Sequence, residues 1–170
     1  MKYLILGLLA FSFTACEDKA MEEDNSNEVA FLDGESFQDF TCVYQQADTP
    51  PAIEDARKWI VGKWQLKGII SMMPSKEVPN IKVEFLADGG VFVTNAGKTV
   101  FTNAYSINDV TENDYSYINI TTDAMTITDG IGQDVNQDNF LKGTIRICEN
   151  ELMIDNGIAS DAPGYLFRKI

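Results

Sequence analysis

From Trp64 to Ile170 the apolar residues recur at every second position in short runs, and turn-forming residues separate the runs. A period of two places alternate side chains on opposite faces, so each run can bury one side only as a β-strand. Trp64, Leu66, Gly68 and Ile70 alternate with Gln65, Lys67 and Ile69. Ile81, Val83 and Phe85 follow, and Asp88-Gly89-Gly90 supplies the positive φ angles of a tight hairpin before Val91-Phe92-Val93. Thr99–Ile107, Tyr117–Thr121 and Met125–Ile127 continue as strands, with polar stretches such as Asn108–Asn113 between them. Leu141, Gly143, Ile145 and Ile147 form another alternating face. Leu152–Ile154 and Tyr165–Ile170 complete the set, with Asn156-Gly157 as a turn.

About eight to ten strands in direct succession favour an antiparallel meander over any scheme of crossover helices. Such a sheet removes its exposed edges most completely by closing on itself, so the expected fold is all-β, an up-and-down barrel of about eight strands. One short helix precedes it. Ile53, Ala56, Trp59 and Ile60 fall at helical spacing, with Glu54 and Asp55 early and Arg57 and Lys58 late, as the helix dipole prefers. Thr49-Pro50-Pro51 marks a boundary just before that helix.

The N-terminus has a different character. Lys2 is followed by a largely apolar run from Tyr3 to Phe13, then small residues before Cys16. The run is too short to span a bilayer, which needs about 20 apolar residues, and it fits a signal peptide over residues 1–15. It resembles the lipobox of bacterial lipoproteins, which implies cleavage before Cys16 and lipid on that cysteine. Residues 16–36 are expected to be a flexible tether. Glu17, Asp18, Glu22, Glu23 and Asp24 make its first part acidic and similar to the surface-export signal of Bacteroidetes lipoproteins. The resemblance implies a cell-envelope location on the outer membrane and leaves both faces of that membrane open. The folded domain is expected over 37–170, with its core in 52–170.

Composition removes several function classes. A net charge of −13 repels phosphate backbones, so nucleic acid is not an expected partner. The absence of histidine excludes Ser-His-Asp and Cys-His catalysis and the commonest metal sites. No catalytic residues, no cofactor and no enzymatic activity are expected. Asp134, Asn136 and Asp138 have the spacing of the first calcium-loop ligands, but Asn139 stands where glycine is required and Ile145 where the bidentate glutamate belongs. They read as a solvated turn with calcium as the weaker alternative. Cys42 and Cys148 form an even pair in an exported chain, most simply a disulfide, with two buried free thiols as the other reading. A bridge would close a loop of about 105 residues and stabilise by roughly 4–5 kcal/mol.

The segment Ile60-Val61-Gly62-Lys63-Trp64 resembles the opening of the lipocalin and fatty-acid-binding-protein superfamily, whose first strand carries Gly-x-Trp after a short helical turn. That resemblance implies that Trp64 closes the base of the barrel and that Arg168, on the last strand, covers it. Thr122-Asp123 is a poor match to the family's second motif. The leading expectation is a membrane-anchored binding module with a small apolar ligand inside the barrel, lined by Leu66, Val83, Phe85, Phe92, Tyr105, Ile118, Ile120 and Ile145. The alternative is a non-catalytic interaction module with a filled barrel and an envelope protein as partner. Met72 and Met73, just past the first strand, either line an entrance or tuck against the nearest apolar surface.

Overall fold

The computed structural model describes residues 28–46, 49–73, 75–122 and 140–170. The expected signal peptide, Cys16, the strand expected at Met125–Ile127, Asp123 and the triplet Asp134, Asn136 and Asp138 lie outside the described residues.

Among the described residues there are ten strands: β1 (Phe31–Asp33), β2 (Gly62–Ile70), β3 (Glu77–Pro79), β4 (Ile81–Phe85), β5 (Gly90–Asn95), β6 (Lys98–Glu112), β7 (Tyr115–Thr122), β8 (Gly143–Ile147), β9 (Glu151–Asp155) and β10 (Gly164–Lys169). Eight close into an antiparallel barrel in the order β10-β2-β4-β5-β6-β7-β8-β9, and β1 pairs with β3 outside it. The closed barrel is the architecture the alternation predicts. Helix α1 spans Thr41–Gln45 and α2 spans Ile53–Ile60, the latter with acidic residues in its first turn and basic ones in its last.

Inward-facing residues of all eight barrel strands form one core with Trp64, Phe85, Ile120, Ile145, Leu152 and Phe167 among its members. Helix α2 closes one mouth, because Ala56 and Ile60 are buried in that same core and Ile53 and Trp59 pack against it. A second, smaller cluster lies on the outer wall. There Phe40 and Val43 cover Met153, Leu166 and Cys148.

Three departures from the simple alternation have local causes. A bulge between Leu166 and Phe167 of β10 and the facing stretch of β2 sets Leu66 opposite Phe167 but Gly68 opposite Leu166, so Lys67 is the extra residue. Beyond the bulge, Ile69 packs against the barrel core and Ile70 against the outer cluster, the reverse of the unbroken pattern. Gly68 is left on the outer wall, where a Cβ would meet the Glu35 carbonyl oxygen at 2.5 Å, so only glycine lets the N-terminal segment cross there.

The stretch Asn108–Glu112, polar on both faces and expected as a connection, is strand, paired residue by residue with Tyr115–Asn119. The chain is already folded at Glu28, ahead of the expected boundary at 37. Glu28 pairs with Lys82, and the Asn80 amide donates to the Val29 carbonyl.

Candidate functional site

The resemblance to Gly-x-Trp barrels places the candidate site at the base of the barrel and in its interior. Gly62 has φ +127°, a conformation L side chains rarely adopt, which explains the glycine of the motif. Trp64 is completely buried, and its indole Nε1 donates to the Ile60 carbonyl at 2.7 Å, tying α2 to the first barrel strand.

The cation over this indole is Lys169, not the expected Arg168. Lys169 Nζ lies 5.2 Å from the ring centroid and donates to the Trp59 carbonyl at 2.7 Å. Strand parity is the reason: Lys169 sits directly opposite Trp64 in the ladder, and Phe167 opposite Leu66, so the odd positions face inward and Arg168 faces out. Burial pushes the Lys169 ammonium pKa down, and Glu149 partly opposes it. Such a contact is worth about 0.5–2 kcal/mol, depending on how dry it is.

Arg168 works on the outer wall. Its guanidinium lies 4.2 Å from the Phe40 ring centroid, and it donates to Glu151 Oε1 at 2.8 Å, Glu35 Oε2 at 3.1 Å and the Asp39 carbonyl at 2.7 Å. The other oxygen of Glu151 accepts the backbone N–H groups of Cys42 and Val43 at 2.8 and 3.1 Å, so a β9 side chain caps the first turn of α1. The Ser36 hydroxyl and N–H both donate to Asp39, holding its carboxyl below the usual range. Arg168→Gln keeps length but loses the charge. We expect it to cost about 2 kcal/mol in chemical denaturation, because hydrogen bonds to charged partners carry most of the contact. A loss under about 0.5 kcal/mol would place this cluster among ordinary surface ion pairs.

Cys42 and Cys148 are joined in a disulfide with 6.4 Å between Cα atoms, which selects the bridge over free thiols.

The expected lining residues divide. Leu66, Val83, Phe85, Ile118, Ile120 and Ile145 are all interior and at most 2% exposed. Tyr105 is half-buried at the edge of that core, its ring edge-on to Phe85 at 4.9 Å and its hydroxyl donating to the Leu86 carbonyl at 2.9 Å. Burial raises its pKa, with Asp88 adding to the shift. Phe92 is outside: it lies between the inward Val91 and Val93 and pairs across to Glu84 and Thr102.

The interior also contains residues absent from the expected lining. Phe140 and Leu141 come from the segment ahead of β8 and are fully buried in the core, Phe140 edge-on to Tyr165 with ring centroids 5.8 Å apart. Leu141 lies on the alternating face read from the sequence, whereas Phe140 beside it breaks that alternation, and only the fold shows that both enter the core.

Two cavities stand out among the described residues, and both involve the barrel wall or mouth. One, of about 270 Å³, lies beside α2 among Arg57, Ile60, Val61, Tyr105 and Ile107. The other, of about 240 Å³, opens where β7 and β8 diverge. Met72 and Met73 are 79% and 87% exposed and so are not tucked against any apolar surface. Among the described residues no group of three or more Cys, Asp or Glu side chains converges on a point that could hold a metal. Set against protein-family models, curated proteins and solved structures, the chain matches none.

Proposed function

We propose that this chain is a lipid-anchored, lipocalin-like barrel of the bacterial envelope that works as a non-catalytic interaction module, making its contacts on the outside of a filled barrel. The observation that carries this reading is the packed interior. Trp64, Phe85, Phe140, Tyr165 and Phe167 are each at most 1% exposed and occupy the space a ligand would need. Pockets for small molecules commonly span roughly 300–1,000 Å³ and are apolar and enclosed. The two cavities described above are smaller and lie at the wall and mouth.

The carrier reading keeps one specific support, the cavity beside α2, which borders the buried Ile60 and Ile107 at one mouth. Titration of the full chain with a fluorescent fatty acid distinguishes the two. We expect no saturable uptake, and one-to-one uptake that palmitate displaces would restore the carrier. Anchoring at Cys16 has its own test, independent of the interior. Labelled palmitate should enter the wild-type protein in cells, and Cys16→Ser should carry none and leave the membrane fraction.

A further inference from the structure

Strands β7 and β8 pair over only three positions, Ile118 with Ile145, Asn119 with Thr144 and Ile120 with Gly143. Strand β7 nevertheless begins at Tyr115 and β8 runs on to Ile147. Over Tyr115–Tyr117 the side of β7 facing away from β6 has no partner strand among the described residues, a local open edge in a closed barrel. The 240 Å³ cavity occupies this divergence, lined by Tyr115, Ser116 and Tyr117 on one wall, Thr144, Ile145 and Arg146 on the other, and Gln46 and Pro50 at its end.

Three unmet bonding demands meet in this cleft. The first is the β7 edge itself, where the Ser116 N–H and carbonyl face away from β6 and have no ladder partner among the described residues. The second is Gln46. Its side-chain amide donates to the Ile147 carbonyl at 3.0 Å, taking the place of the N–H that a neighbouring strand would supply, while its Oε1 is buried with no donor among the described residues. A buried acceptor left without a donor is destabilising, so an arriving N–H is favoured there. The third is Arg146. Of the chain's three arginines, Arg57 donates to the Ile107 carbonyl and Arg168 is fully engaged, whereas Arg146 has no hydrogen bond or ion pair among the described residues. An uncommitted, half-buried guanidinium in a chain of net charge −13 is a carboxylate receptor placed against the electrostatic trend.

We propose that the β7–β8 cleft binds an extended peptide segment, which adds as a strand along Tyr115–Tyr117 and places a carboxylate on Arg146. An extended backbone supplies the ladder partners and the N–H that Gln46 Oε1 lacks, and the flanking tyrosine rings offer contact area for alternate side chains. Its acidic residue distinguishes it from other extended chains. The inference names the partner chemistry of the interaction module and rests on that reading.

The test uses the full chain and a fluorescein-labelled, blocked heptapeptide of alternating threonine and valine with a central glutamate. Fluorescence anisotropy should show saturable binding. Replacing the glutamate by glutamine, or Arg146→Gln in the protein, should weaken it at least tenfold, with the melting temperature of the variant unchanged. N-methylation of alternate peptide nitrogens should abolish binding, since it removes the ladder bonds and leaves the carboxylate. Ser116→Pro should do the same from the protein side, because the Ser116 N–H is the one that faces away from β6. Gln46→Ala keeps the proposal testable if that proline variant does not fold, and is expected to weaken binding severalfold. Equal binding of the glutamate and glutamine peptides, full binding of the N-methylated peptide, displacement by glutarate alone, or no binding by any peptide would each overturn it. Glutarate displacement would assign the cleft to small anions instead. Fatty-acid uptake fails the filled-barrel reading separately, so loss of the peptide site and loss of the module remain distinguishable.

Discussion

Replacing Cys42 and Cys148 together by serine should lower the stability of the domain by about 4 kcal/mol. The bridge spans 106 positions of sequence, and closing so long a loop removes a large share of the unfolded chain's freedom. It also acts on a specific junction. Cys42 sits in α1, which contributes Val43 to the outer cluster, and Cys148 follows the last residue of β8 and is buried in that cluster. Without the bond, the N-terminal layer is held by the Arg168 and Glu151 contacts, by the β1–β3 pair and by the burial of Phe40 and Val43. In urea the midpoint should fall by roughly 2 M, for a denaturant slope near 2 kcal/mol/M. A fall below about 0.5 M would mean that this layer already restricts the unfolded chain or that the bond adds compensating strain.

Trp64→Ala should cost about 4–5 kcal/mol, the upper part of the range for large-to-small core changes. Three losses combine at one site. The indole is fully buried, so its removal leaves a void that eight interlocked strands close poorly. The Ile60 carbonyl loses its donor, which frees the C-terminal end of α2 from β2. Lys169 loses the ring beneath its ammonium and keeps its hydrogen bond to the Trp59 carbonyl. Trp64→Phe restores most of the volume without the N–H and should cost about 1–3 kcal/mol. A double-mutant cycle with Lys169→Met isolates the cation–ring contact, with an expected coupling of about 0.5–2 kcal/mol. Zero coupling, with Arg168→Met coupled to Trp64 instead, would reverse the assignment made here. Each of these two substitutions removes a large part of the roughly 5–15 kcal/mol by which a domain is normally stable.

Much of the barrel was legible because its strands are half-buried and antiparallel, the circumstance in which burial writes a period of two into the chain. The pattern failed where its physical basis failed. In Val91-Phe92-Val93 three consecutive apolar residues erase the parity, and only the pairing of Val83 with Val93 shows that Phe92 faces out. At Lys67 one inserted residue exchanges the two faces for the rest of β2. The outer half of β6, from Asn108 to Glu112, is polar except for Val110, and none of it is buried, so no core writes a period into it. Strands β1 and β3, three residues each, are too short to show a period at all.

At the site, Gly62 and Trp64 were readable from a short motif, but their cation was not. Arg168 and Lys169 are adjacent, and one register step decides which of them enters the barrel. The cleft between β7 and β8 left no trace in the sequence. It exists because two strands end their pairing early, a property of the ladder and not of any residue in it.

The N-terminal layer over Met153 and Leu166 has a kinetic consequence. Were it to lift, the barrel wall would show a greasy stripe to any neighbouring molecule. The Cys42–Cys148 bond leashes the layer within a few ångströms of its seat, so recapture is a first-order event whose effective concentration is far above that of any competing molecule. Breathing of this layer is thereby self-healing, and reduction of one sulfur–sulfur bond would turn it into an invitation to aggregate.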